Sequence, residues 1–563
     1  MKKTVLILST TLFLLALLFT AQNKIKVEAS PETLHVPTQY PTIQKAINQA
    51  KPGDTVFVHS GTYAEHIIVN KTISLIGEDR ETTIIDGQGT GSPINITSSN
   101  VYLKGFTVKG SGTGLFCSGI FIGHSNTNYI INNKVTDNYD GICLRLSSHN
   151  VISDNVVFSN TNDGISLYGP SINNTISTNT IFSNNNFGIS SYNSNNNFIL
   201  DNVIFFQGVS GITFSASRNN IVSKNIIKNN YYGVFFYIFA NNNTVLGNSI
   251  LFNNVGTYIS DSEKNILFHN NFNNTLQAWA DKKNFWDNGY EGNYWTTYKG
   301  NDTDSDGIGD TPYIIEMGNA DNYPLMGMFS DFRIALMKET FSVATICNST
   351  ISDFRLEIGS ETGNRIIRFT VAGKDGSAGF CRIMIPVGLM SYPYIVLVDI
   401  EEIVPTFLDV SNETHAFLYF NYTHSSHVVT IISSKTLRLY NEVLNKYNQL
   451  NATYYSLLYE YCLLLGNYSQ LEKNYNGLLD KLENMSDSYD NLLINYGFLW
   501  ANYSQLQKDY NQLNSTYQEQ KTDYSKNVSN VRNLMYVFAA LSAIFLITTV
   551  YLSKHAHEGK ARL

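Results

Sequence analysis

Two groups of residues have types and spacings that could do chemistry. The first is Asn301-Asp-Thr-Asp-Ser-Asp-Gly-Ile-Gly-Asp310, where Asp302, Asp304, Asp306 and Asp310 stand at positions 1, 3, 5 and 9 of a calcium loop and Gly307 takes the sharp turn. Ile308 would lend its carbonyl. Four carboxylates this close repel one another without a cation, and an all-oxygen set suits calcium. Tyr313 stands where an EF-hand places a bidentate Glu, so the loop is not a complete EF-hand. A solvated Asp/Gly-rich loop is the other reading. The second group is Asp137, Asp140 and Arg145, with Asp163 one repeat beyond Asp140 in the same frame. Paired carboxylates can serve as acid and base in hydrolysis. The same residues also read plainly as turns, because Asp140-Gly and Asp163-Gly are ordinary turn dipeptides.

Metal and thiol chemistry find less support. His59, His66, His124, His149 and His269 fall in different frames. The cysteines are Cys117, Cys143, Cys347, Cys381 and Cys462, an odd number without a C-x-x-C pair. Cys117 and Cys143 sit about four residues apart along neighbouring repeats, too far for a bridge. Cys347 and Cys381 share one β-rich region and could pair.

The frame that positions Asp140 and Asp163 is a repeat. Asn133, Asn155, Asn179, Asn202, Asn225, Asn248 and Asn270 recur at steps of 22 to 24 residues, and Gly119, Gly141, Gly164, Gly188, Gly211, Gly233 and Gly256 keep the same beat. Two markers on one period define a repeat. Each unit holds three short apolar-alternating runs separated by Asn, Ser and Gly, which predicts one coil of a parallel β-helix. A single coil cannot bury its Ile and Val residues, so coils must stack at roughly 4.8 Å over a shared core. Stacked Asn side chains at a corner can hydrogen-bond to their copies above and below. Ile165 and Ile189 are expected in that core. Before the coils, Ile43, Ala46, Ile47 and Ala50 lie on one helical face, which predicts a helix that caps the open end of the stack.

The segment Tyr40-Pro-Thr-Ile-Gln-Lys-Ala-Ile, then Pro-Gly-Asp-Thr-Val, Gly-Thr-Tyr and Asn-Lys-Thr-Ile-Ser-Leu-Ile-Gly-Glu78, followed by the Asn/Gly-Ile coils, resembles the NosD-type right-handed β-helix proteins of the pectin-lyase-like class. The likeness spans roughly residues 34 to 328, and the whole layout resembles archaeal cell-surface members of that group. It implies a right-handed parallel β-helix and is weakly specific for function. Related folds host polysaccharide lyases and hydrolases, so a calcium-dependent polysaccharide lyase or hydrolase is the alternative reading, with Asp137, Asp140, Asp163 and Arg145 as candidates. A copper-handling role like that of the namesake would want clustered Met, Cys or His, and the scattered histidines do not supply it. The outer face offers Asn, Ser and aromatic side chains at Tyr168, Tyr192, Phe214, Tyr231, Tyr232, Phe235, Phe236 and Tyr237, which suit stacking on sugar rings, the other reading being a solenoid wall with these rings lodged in turns or core. The reading preferred over an enzyme is therefore surface display or recognition, with polysaccharide as the ligand.

Around the solenoid (34–292), the sequence divides into a signal peptide (1–29), an Asp-rich junction (293–329), a small β-sandwich (330–434), a heptad stalk (436–530), a transmembrane helix (534–552) and a cytoplasmic tail (553–563). Lys2 and Lys3 precede an apolar run, the layout of a secretory signal. Leu534 to Leu552 is apolar and long enough to span a bilayer, and Lys554, Lys560 and Arg562 behind it place the tail inside. Fifteen Asn-X-Ser/Thr sequons agree with an extracellular body. Tyr recurs every seventh residue from Tyr440 to Tyr524, apart from Leu482, with Leu or Met three residues later. This predicts a coiled-coil rod of roughly 130 Å that self-associates, the alternative being a helix folded back on its own ectodomain. The formal charge of −8 and the lack of a basic patch exclude nucleic acid as a partner.

Overall fold

The computed structural model describes residues 30–563 apart from 115, 360–362, 483–488 and 559–563. The expected signal peptide lies outside the described residues. The chain forms two compact units, one ending at Phe329 and the other beginning at Ser330, with Ser305–Gly307 assigned to the second.

The first unit is a parallel β-solenoid of about eleven turns. Three parallel sheets, of eleven, eleven and ten strands, run its length. Sheet 1 begins at Thr33–Val36, sheet 2 at Gly61–Tyr63 and sheet 3 at Ile67–Val69. Each coil contributes one short strand to each sheet in strict register: Ile142, Ile165, Ile189, Ile212 and Val234 are successive partners in sheet 3. All five are fully buried. Burying one such side chain against its neighbours contributes roughly 1.5–3 kcal/mol, and the stack repeats that contact coil after coil. A Cβ on Gly141 or Gly164 would lie within 2.6 Å of the carbonyl oxygen of the next marker glycine, so the coils close only with glycine there.

Asparagine forms ladders at all three corners of the coil. In the first, Asn128 offers Oδ1 to the Val101 N–H, and Asn150, Asn174, Asn197, Asn220 and Asn243 each offer Oδ1 to the backbone N–H and side-chain amide of the preceding rung, at 2.8–3.2 Å. The marker series from Asn133 to Asn270 makes the second, and Asn138, Asn160, Asn184, Gln207, Asn230 and Asn253 the third. These rungs satisfy buried backbone groups that the tight corners would otherwise orphan.

Helix α1, Ile43–Gln49, covers the N-terminal end with Ile43, Ala46 and Ile47 buried, as the pattern predicts. Thr42 caps it, and the Glu65 carboxylate accepts from the N–H groups of Ile43 and Gln44. At the other end the solenoid extends past 292. Tyr294–Trp295 supplies the last strand of sheet 2. Asn319 and Asp321 take the final rungs of two ladders, accepting from Asn284 and Asn293. Burial pushes the Asp321 carboxyl up to about 7, against donation from Asn293, Trp295 and Tyr323.

The second unit opens with two five-stranded antiparallel sheets. Their facing sides share one core that includes Val343, Ile367, Phe369, Ile383, Leu418 and Ile431. Helices α2, Lys435–Leu482, and α3, Tyr489–Glu558, follow. The heptad stretch is helical, as its pattern predicts, and comes as two helices rather than one continuous rod. The heptad tyrosines of α2 meet those of α3 antiparallel: Tyr447 stacks on Tyr524, Tyr454 on Tyr517, Tyr461 on Tyr510 and Tyr468 on Tyr503, with centroids 4.8–5.3 Å apart. The same chain supplies both sides of the seam, so each arm is about half the expected length. Two arms of one chain meet at high effective concentration, and wide Tyr rings stack readily across an antiparallel pair. Among the described residues one helix, the last, is long and apolar enough to cross a membrane.

Candidate functional site

The outer face of sheet 3 gathers most of the residues with chemical potential. After Ile67–Val69 and Ile94–Ile96, its strands run Ser118–Gly123, Asp140–Arg145, Ile165–Tyr168, Phe187–Tyr192, Ser210–Ser215, Tyr232–Tyr237, Val255–Ile259 and Leu276–Ala280. Side chains alternate along a strand, so the residue two positions after each marker glycine faces outward and the next faces the core. The central outward column is therefore Phe121, Cys143, Ser166, Ser190, Thr213, Phe235, Tyr258 and Trp279, each register partner of the next. Small polar groups occupy its middle and aromatic rings both ends. A flanking column carries Arg145, Tyr168, Tyr192, Ser215 and Tyr237.

Of the acid–base candidates, Asp140 and Asp163 are neighbours on this face, while Arg145 stands at the far end of the strand that Asp140 begins. Asp137 sits at the corner after a strand of sheet 2, taking a bond from Thr136. Asp140 and Asp163 are almost wholly buried. Asp140 accepts from Asn162 Nδ2 at 2.7 Å, the Asp163 N–H at 3.3 Å and Ser166 Oγ at 2.9 Å. Asp163 repeats the pattern one coil on, accepting from Asn186 Nδ2, the Phe187 N–H and Ser190 Oγ at 3.0, 3.2 and 2.6 Å. Burial, and then the charge of Asp140, push the Asp163 carboxyl up to about 7; burial raises Asp140 too. Each acid thus braces the turn of the following coil through both oxygens. Arg145 lies over the Phe116 ring, 4.1 Å from its centroid, and Phe116 in turn meets Tyr168 edge-on.

The aromatic residues divide by geometry. Phe214 and Phe236, expected outside, stack on each other in the core, a correction that follows from the alternation of the strand. On sheet 2, Phe158, Phe182 and Phe205 stack with interplanar angles of 3° and 8°, so each ring face is taken by the next ring. Rings on sheet 3 and its edges are mixed: Tyr258 stacks on Trp279 at 12°, Phe235 on Tyr237 at 17° and Tyr232 on Phe235 at 22°, while other pairs are tilted. Tyr168 and Tyr192 make 51°, Tyr231 and Tyr232 77°, and Tyr232 and Tyr258 50°. Tyr192 and Tyr231 are about half exposed. Tyr258, Trp279, Phe121, Ser166, Ser190 and Thr213 escaped the sequence reading, although counting two residues on from each marker glycine finds all but Trp279, whose coil has Gln277 in place of glycine.

In the Asp-rich loop, carboxylate oxygens of Asp302, Asp304 and Asp306 lie within 4.8 Å of one another, the one group among the described residues arranged to hold a metal ion. The Asp310 carboxylate turns to Thr303, accepting from its N–H and hydroxyl at 2.8 and 2.6 Å, bonds that hold its pKa below the usual range. Ile308 forms a bridge with Leu325.

Residues 118–273 match the family described as a right handed beta helix region. A cell surface glycoprotein of Methanothermus fervidus is 29% identical over 133 residues, 23% of this chain. The matched stretch spans 22% of that protein's own length. Among solved structures, the A-module of a mannuronan C-5 epimerase from Azotobacter vinelandii is 19% identical, with 44% of this chain and 93% of that one covered and a TM-score of 0.33. The Dettilon tailspike protein is 12% identical, with 71% and 94% covered and a TM-score of 0.35. An alginate lyase from Paenibacillus is 16% identical, with 47% and 97% covered and a TM-score of 0.33. The family match and the three parallel sheets together define a right-handed parallel β-helix, and a stretch of 133 residues of the chain is similar to a cell surface glycoprotein.

Proposed function

We propose that this is a single-pass cell-surface protein whose solenoid binds an extended polysaccharide along the outer face of sheet 3. The observation that carries the reading is the distribution of rings there. Tyr192 and Tyr231 stand half exposed and tilted from their ring neighbours, so a sugar ring finds an apolar face to stack on, while Ser166, Ser190 and Thr213 between them are small and buried and keep bulky side chains off the face. Coils repeat at about 4.8 Å, so a chain laid along the axis passes the side chains of one coil at each step. Binding without cleavage fits the two acids best, because both are buried and engaged in bracing turns. The C-terminal helix serves as the anchor, with residues beyond 552 inside. Calcium held by Asp302, Asp304 and Asp306, with Asp310 closing the loop, braces the segment that ends the solenoid; support comes from the convergence of three carboxylates. An array of neutral and uronate-containing polysaccharides, probed with the full chain in detergent, tests the reading. Binding to at least one class without release of new ends is expected, and cleavage of a bound chain would favour the lyase or hydrolase alternative.

A further inference from the structure

We infer that Cys347 and Cys381 are joined by a cross-strand disulfide in the mature protein. They lie on neighbouring strands, Glu339–Cys347 and Ala378–Pro386, and the antiparallel register sets them directly opposite each other. Opposed residues of an antiparallel pair place their side chains on one face with Cα atoms about 4.5–5.5 Å apart, inside the range that a disulfide spans. Both sulfurs are buried in the core between the sheets, and both are thiols in the structure. No other pair has this relation: Cys143 faces Phe121 rather than Cys117, and Cys462 is exposed on α2.

The surroundings of the two sulfurs differ in a way that orders the chemistry. Cys347 Sγ takes a bond from the Ser349 N–H at 3.4 Å and lies 3.4 Å from the Tyr422 hydroxyl. Ser349 Oγ bonds both that hydroxyl, at 2.6 Å, and His424 Nε2, at 2.7 Å, while Ser377 holds the other ring nitrogen. The Cys381 thiol, then Tyr422 and Ser349, hold the Cys347 thiol down at about 7, whereas burial raises Cys381 well above the usual range. Where the Ser349 and Tyr422 contacts have formed and the sheets are not yet closed, Cys347 is the first thiolate. It attacks one sulfur of a low-molecular-weight disulfide, forming a mixed disulfide and expelling one thiolate. Cys381 then loses its proton to solvent and attacks Cys347 Sγ, expelling the second. Two protein thiols are oxidised to one disulfide and the small disulfide is reduced to two thiols, so electrons balance. Because both sulfurs are buried once the sheets close, the exchange belongs to assembly of the sandwich, and the finished bond is shielded from reductant.

Differential labelling of the full chain, purified in detergent without reductant, tests this. Free thiols are blocked in denaturant, disulfides are then reduced, and the new thiols take a second label before peptide mapping. Cys347 and Cys381 should carry the second label in equal amounts, with Cys143 and Cys462 carrying the first. Dithiothreitol should release the pair only after denaturant is added. First-step labelling of Cys347 or Cys381, pairing of either with another cysteine, or ready reduction in native buffer would overturn the inference.

Discussion

Replacing Asn179 by Ala removes one rung from the middle of a corner ladder. Its Oδ1 accepts from the Asn155 N–H and the Asn155 side-chain amide, both at 3.0 Å, and its Nδ2 donates to the Ile152 carbonyl at 2.8 Å and to Asn202 Oδ1 at 3.0 Å. The substitution leaves a backbone N–H and an amide donor of Asn155 buried without acceptors; Asn202 Oδ1 keeps the Asn179 N–H. At about 1–3 kcal/mol for each of the two stranded groups, the loss comes to about 2–6 kcal/mol, or about 4 kcal/mol at the middle of that range. Coils touch only their neighbours, so the loss is expected as local opening rather than global unfolding. Hydrogen exchange resolves this: amides from about residue 130 to 225 should exchange roughly a hundredfold or more faster, since about 1.4 kcal/mol is a factor of ten. Asn185→Ala, at an exposed position of the same coil, is the control and should change exchange little. Equal exchange in the two variants would refute the ladder as a source of stability.

Other outcomes follow from single features. Burial holds the Asp163 carboxyl at about 7, above its value of about 3.9 in an unfolded chain, so its contribution favours the fold below pH ~4 and is lost as pH rises through 7. Asp163→Asn, which can donate to a turned Ser190 hydroxyl, should gain stability on wild type between pH 5 and pH 8 in thermal melts, and parallel pH profiles would contradict this. Tyr454→Cys with Tyr517→Cys should crosslink within one chain on oxidation, and a product only between chains would show that the antiparallel hairpin is wrong. Calcium should raise the melting temperature and Asp304→Asn should weaken that shift, whereas no calorimetric heat with calcium would remove the ion from the account.

The solenoid was legible because its two strongest signals, Gly and Asn at one period, are both packing requirements: glycine where coils touch and asparagine where corners need acceptors. Ile165 and Ile189 are in the core where the alternation puts them. The third ladder was harder to see, since Gln207 interrupts the Asn series. Phe214 and Phe236 were placed outside because clustered aromatics look alike until the frame is counted from glycine. Asp140 and Asp163 show the opposite problem. Their dipeptides read as turns, but the bonds to Ser166 and Ser190 depend on residues a full coil away. The heptad pattern fixes which faces of α2 and α3 are apolar and leaves open which arm meets which, because an antiparallel hairpin and a parallel bundle use the same spacing.

Titration of the full chain with the polysaccharide selected on the array, comparing wild type with Tyr192→Ala and Tyr231→Ala, measures the central proposal most directly. Both side chains are half exposed and make only ring contacts, so the fold should survive. Each stacking ring is worth about 0.5–1.5 kcal/mol beyond its area, so each variant should bind about two- to tenfold more weakly, with no new chain ends released from the polysaccharide. Unchanged affinity in both variants, with binding retained, would contradict sheet 3 as the binding face.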